Sequence, residues 1–350
     1  MMPSHQSPED FTITPPGSEG TPAPPAIGIT PPQVLARDAA EGRRGAAWRL
    51  LHWIIEGNPQ AFLAISSLDD DRLARHMLEF IALGTWAGKP FVVPASLRLP
   101  LARTQLRTLF LPGSGMDTLR AERVLLAGLH DRRAAVRENA AQTLGLMGRA
   151  SAVAPLIETL RDPVITVQWQ AAKALGQIGS EAAVPALLNM LHTADEQLAG
   201  QVSHALVQIG PAAVPALLKE CDSPSPWIRW HCIRMLSEIH DYRALPTLVQ
   251  ALRDTNHSIA WLAARGLTRY GKWCIEPVLR LLILTETSPW LVETASYLLH
   301  DIYTRDQKFK PYLEPVVHSM HDVAYRIGTP NAARKALTRL TSDGLIATPS

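Results

Sequence analysis

A nine-residue pattern recurs down this chain at a step of 30 to 31 residues, six times in succession. The copies run from Val136 to Leu144, Val167 to Leu175, Leu198 to Leu206, Ile228 to Leu236, Ile259 to Leu267 and Trp290 to Leu298. A fixed period in this range marks a stack of like supersecondary units. Each unit can bury its apolar face only against its neighbours, so the stack grows as an elongated solenoid with one long curved surface. The pattern therefore predicts an all-α fold, a right-handed α–α superhelix, over residues 117–341.

Within the stack each unit reads as two helices. Pro155, Pro185, Pro215, Pro246 and Pro277 fall early in the first helix, where a missing N–H costs nothing. Asp131, Asp162, Asp222 and Asp254 end those helices and are expected to cap the second. The second helix is the nine-residue segment, closed by Gly148, Gly179, Gly210 or Gly271 as a left-handed cap would require. No strand is indicated. The sixth unit carries an insertion at 303–311, and a degenerate helix at 331–337 reads as the C-terminal cap, followed by a tail at 342–350.

Before the repeats, residues 44–116 are helical but off-pattern and are expected to form an N-terminal cap. One helix covers 46–56 with Trp48, Leu51 and Ile55 on its inner face. A second covers 69–83 with Leu73, Met77, Phe80 and Ile81 together, opening on three aspartates that suit a helix N-terminus. A short helix is placed near 96–109. Residues 1–35 hold nine prolines and too little apolar surface to offset ordering, so they are expected to be a disordered tail, dispensable for folding.

Lys plus Arg number 34 and Asp plus Glu 32, a balance that gives no argument for nucleic acid or membrane. The three cysteines form no CxxC pair or zinc spacing. Cys232 takes a core position, and a reducing, cytoplasmic setting fits best. No run of about 18 apolar residues predicts a membrane span, and residues 1–10 lack the apolar stretch of a secretory signal.

The succession of Val136-Arg137, Ala140-Ala141, Leu144-Gly145 and Gly148, then Pro155 and Asp162, resembles the HEAT-like repeat of the phycobilisome-lyase (PBS-lyase) type. The likeness covers roughly 118–320, most clearly 131–218. It implies a scaffold, with the nine-residue helices lining the concave side. It also implies a ladder of Asp and Arg along the stack. Only Asp131 with Arg137 keeps the family spacing, and Arg229 stands one residue off relative to Asp222, so apolar packing is expected to carry the stack. Among related enzymes, deoxyhypusine hydroxylases bind iron through His-Glu dipeptides. This chain has none, and its four His-Asp pairs, at 130, 240, 300 and 321, occupy different repeat registers. No metal or other cofactor is expected, and no catalytic residue is assigned.

In each nine-residue segment, positions 1, 5 and 9 fall within about 80° on a helix and face the core. Position 3 lies opposite and is expected to face solvent. It reads Glu138, Trp169, Gly200, Trp230, Trp261 and Val292; position 7 reads Gln142, Lys173, His204, Arg234, Arg265 and Ser296. Trp169/Lys173, Trp230/Arg234 and Trp261/Arg265 thus form three i,i+4 pairs of indole and cation, with Gly200/His204 opening a gap. Interfaces are enriched in Trp and Arg, so these residues are the candidate binding site for a protein partner. Two plainer readings stay open: each cation covers its own indole, or each indole packs into the next repeat. A tetrapyrrole (bilin) lyase or chaperone, and a nucleic-acid-binding HEAT-like protein, are the alternatives.

Overall fold

The computed structural model describes residues 31–68, 70–91, 99–114, 116–286 and 288–346, with residues 99–102 described as backbone only. It is an all-α superhelical repeat fold. The N-terminal cap comprises α1 (Pro32–Ala40), α2 (Arg44–Ile55), α3 (Pro59–Ser66), α4 (Asp71–Leu83) and α5 (Leu99–Thr108). Most of the expected tail lies outside the described residues, but α1 starts inside its assigned range and buries Leu35 and Ala36. The inner face of α2 is Ala47, Leu50, Leu51 and Ile54, so the expected face is rotated and Trp48 and Ile55 are only half-buried. In α4 all four expected core residues are buried. Asp70 caps it through the backbone N–H of Arg72, and Asp71 is held by Arg123; Asp69 lies outside the described residues.

One strand pair corrects the expectation of none. β1 (Thr85–Trp86) and β2 (Lys89–Pro90) form an antiparallel hairpin turned by Ala87 (φ 51°) and Gly88 (φ 75°), both left-handed as a primed turn requires. Two residues per strand are too few to leave a sequence period. The hairpin places Trp86 in the core, where its indole N–H donates to the Ala39 carbonyl at 3.0 Å.

Seven helical hairpins follow: α6 (Thr118–Gly128) with α7 (Ala134–Met147), α8 (Val153–Thr159) with α9 (Ile165–Ile178), and α10 (Val184–Leu191) with α11 (Glu196–Ile209). Then come α12 (Val214–Glu220) with α13 (Pro226–Ile239), α14 (Leu245–Ala251) with α15 (His257–Leu267), α16 (Ile275–Leu284) with α17 (Pro289–Arg305), and α18 (Lys310–Met320) with α19 (Tyr325–Ser342). The second helices, α7 through α17, pack directly on one another, and α4 continues their row towards the N-terminus. The first helices meet each other sparsely. In a curved stack the more tightly spaced row is the inner one. Glycine makes that spacing possible: a Cβ on Gly145 would stand 2.7 Å from the Ala174 Cα, and one on Gly176 2.7 Å from the Ala205 Cα.

The C-terminal end departs from the regular pattern. The segment read as an insertion is the last turns of α17 and a short 3₁₀ turn, and the terminal helix is 18 residues long. In the last hairpin the rows exchange: α18 packs on α17, while α19 packs back on α16. Such an exchange closes the open apolar end of a solenoid.

Two arginines correct the reading of the ladder. Arg137 grips Asp162 of the following repeat with both carboxylate oxygens engaged, at 2.6 and 2.9 Å, and donates to the Asp131 carbonyl at 2.8 Å. Arg229 does the same three repeats later, with Asp254 at 2.8 and 2.9 Å and the Ser223 carbonyl at 2.9 Å. Arg229 is therefore in register. Its carboxylate partner is the aspartate 25 residues on, so an extra loop residue after Asp222 does not disturb it. Gln168 keeps the backbone half of the contact, donating to the Asp162 carbonyl at 2.7 Å.

Candidate functional site

The core stripe is as expected in five segments: positions 1, 5 and 9 are buried from Val136 to Leu267. The sixth is displaced by one. Trp290 is 52% exposed, whereas Leu291, Ala295 and Leu299 are fully buried, so the segment begins at Leu291. Position 3 there is Glu293 rather than Val292, and position 7 is Tyr297 rather than Ser296. A tryptophan at the helix entrance had mimicked a core residue.

The three candidate tryptophans are half-buried, not fully solvent-facing. A helical side chain leans over the turn preceding its own Cα, and an indole there is long enough to touch the neighbouring helix. Trp169 and Trp230 lie against the core, and the Trp169 indole N–H is buried without a hydrogen-bond partner. Trp261 packs on Tyr297 of the next repeat, ring centroids 5.2 Å apart. Of the three expected indole–cation pairs one forms: the Arg234 guanidinium stands 5.4 Å from the Trp230 ring centroid. Arg234 also faces Glu238 at 3.6 Å. Lys173, His204 and Arg265 are exposed, and Lys173 and Arg265 have no ion-pair partner among the described residues.

The row carries more aromatic surface than the sequence reading collected. Trp227, 40% exposed, sits just before the core residue Ile228. It meets His231 edge-on at 4.5 Å, and Trp230 meets the same ring at 5.0 Å. His231 is buried, its Nδ1 3.0 Å from the Ser203 hydroxyl. Burial, and secondarily the Arg234 charge, push its pKa down to about 4, so the ring is neutral at pH 7. Further along, the His257 ring lies tilted against Trp290, centroids 4.4 Å apart, and faces Glu293 at 3.5 Å. Trp227 and Trp290 stand immediately before position 1, His257 two residues before it, and His231 at position 4, none of them in the position 3 and 7 columns.

Cys221, Cys232 and Cys274 are all free and buried. Burial drives the Cys274 thiol up to about 12. Among the described residues no three or more His, Cys, Asp or Glu side chains gather as a metal site. No described helix is long and apolar enough to cross a membrane.

Stacked two-helix units with interleaved Asp–Arg rungs define an α-solenoid. The family model for HEAT repeats matches residues 122–207, 187–267 and 214–299. The chain belongs to the HEAT-repeat family. No curated protein matches it. Solved structures similar to it include the complex of CpcE and CpcF of phycocyanin lyase from Nostoc, at 19% identity over 78% of this chain and 95% of that one, TM-score 0.32. An archaeal HEAT-like repeats protein from Thermococcus onnurineus is similar at 14% identity over 75% and 98% of the two chains, TM-score 0.37. A Kap95p complex with RanGDP is similar at 14% identity, TM-score 0.44, with 89% of this chain matching 48% of that one.

Proposed function

We propose that this chain is a non-catalytic scaffold that binds a protein partner along its inner helix row, through Trp169, Lys173, His204, Trp230, Arg234, Trp261 and Arg265. The observation that carries the reading is the repetition of half-buried indoles, each with a cation one helical turn on, along α9, α13 and α15 of the tighter row. Half-buried tryptophan flanked by a cation is the composition of an interface hot spot, where an anchored aromatic adds area at little entropic cost. The unpaired Lys173 and Arg265 favour a partner that brings carboxylates. The Gly145 and Gly148 closure of the second helix supports placing the repeat with the phycobilisome-lyase type, and three reduced, buried cysteines suit a cytoplasmic chain.

Capture with the immobilised full chain, read by mass spectrometry, tests the reading. Wild type is expected to retain a defined protein that Trp230→Ala loses. Identical protein sets from both would remove the stripe from the function.

A further inference from the structure

On the inner row, α15 and α17 enclose a carboxylate in aromatic side chains. Trp290, Glu293 and Tyr297 follow one another at i, i+3 and i+7 on α17, so they share one helical stripe. Across from them α15 presents His257 and Trp261, one turn apart. The His257 and Trp290 ring centroids are 4.4 Å apart, and those of Trp261 and Tyr297 5.2 Å. His257 meets Trp261 edge-on at 6.2 Å. The four rings thus run in an unbroken arc from one side of Glu293 to the other.

Core packing does not account for this arc. The buried stripe of α17 is Leu291, Ala295 and Leu299, whereas Trp290 is 52% and Tyr297 41% exposed. Contiguous aromatic surface left open to water marks an interaction site. Glu293 is exposed as well, and it has no lysine or arginine partner among the described residues. The His257 Nε2 stands 3.5 Å from its carboxylate, yet that nitrogen makes no hydrogen bond.

Rings and carboxylate together select a ligand. Aromatic faces attract cations, indole most strongly, and a carboxylate adds charge while calling for N–H donors. A quaternary ammonium has no N–H to give. A lysine ammonium is compact and strongly hydrated, and rings cannot replace its water. A guanidinium is planar and weakly hydrated, donates two parallel N–H groups to one carboxylate and stacks on aromatic faces.

We propose that the arc is a pocket for an arginine side chain of the partner, its guanidinium paired with Glu293 and stacked on the flanking rings. The proposal rests on the reading of the inner row as a partner surface, and it adds an arginine at α17 to the carboxylates expected at Lys173 and Arg265. Arg265 follows Trp261 by one turn of α15, so an acidic residue near that arginine in the partner would meet it.

The probe is a blocked Gly-Arg-Gly peptide, titrated at millimolar concentration into the full chain and read by the indole N–H resonances. Those of Trp261 and Trp290 are expected to shift saturably, while those of Trp48 and Trp53 in the cap stay in place. The citrulline peptide, equal in shape but uncharged, and the lysine peptide should bind several-fold more weakly. Glu293→Gln should weaken the arginine peptide at least tenfold and Trp290→Leu several-fold, both with the melting temperature kept. Equal shifts with the citrulline peptide, undiminished affinity in Glu293→Gln, or no shift at Trp261 and Trp290 would overturn the proposal. The peptide addresses the pocket alone. A chain that fails this test, yet still loses its captured partner on Trp230→Ala, keeps the binding surface and gives up only the arginine pocket.

Discussion

His231 shows how one enclosed side chain sets a pH dependence. Its pKa is held at about 4 by burial and then by Arg234, against about 6.5 in an unfolded chain. Below about pH 6.5 the unfolded chain takes up a proton that the folded one refuses, so stability falls as pH falls towards 4. The whole loss is about 3 kcal/mol. Urea titrations at neutral pH and near pH 4.5 should show that His231→Leu flattens this slope relative to wild type; parallel slopes would mean the ring is solvated. Asp254 works in the opposite sense. Burial opposes its charge, but the Arg229 bond and the Asn256 N–H outweigh it and lower its pKa. Its contribution is present above the ordinary carboxylate pKa and is lost as pH falls through the lower folded value. Arg229→Met should cost about 3 kcal/mol at neutral pH and distinctly less near pH 3, a comparison that thermal melts at the two pH values would make.

At the scale of the element, the inner row depends on residues without side chains. Ala is the better helix former by about 1 kcal/mol, yet a Cβ at 145 would stand 2.7 Å from the Ala174 backbone, and overpacking costs about 1–3 kcal/mol. Gly145→Ala is therefore expected to destabilise, whereas Gly200→Ala, with nothing within 4 Å, should stabilise modestly. Denaturant midpoints of the two variants moving in the same direction would contradict this account of the packing. Helix type, hairpin pairing and five of six core registers were legible in the sequence because apolar burial repeats with the helix. The sixth was not, because Trp290 is apolar in composition and exposed in place. The Arg229 rung was missed because its partner Asp254 lies in the following repeat, while the pattern was compared within one. The rotation of α2 and the two-residue strands were hidden for want of any period to read.

Across the whole molecule, the stack turns six local sequences into one continuous surface. The composition of that surface, Trp at position 3 and cation at position 7, was legible; its burial was not, since no sequence period reports how far an indole reaches to a neighbouring helix. Because the tryptophans are half-buried, truncating them tests packing and binding together. The exposed cations separate the two. Lys173→Glu with Arg265→Glu changes no core contact and no ion pair among the described residues, and surface changes of this kind usually stay within about 0.5 kcal/mol each. The most direct measurement is the affinity of the captured partner for this double variant, by titration calorimetry, beside its melting temperature. The account predicts an unchanged melting temperature and an affinity at least tenfold weaker. Unchanged affinity in the folded variant would contradict it.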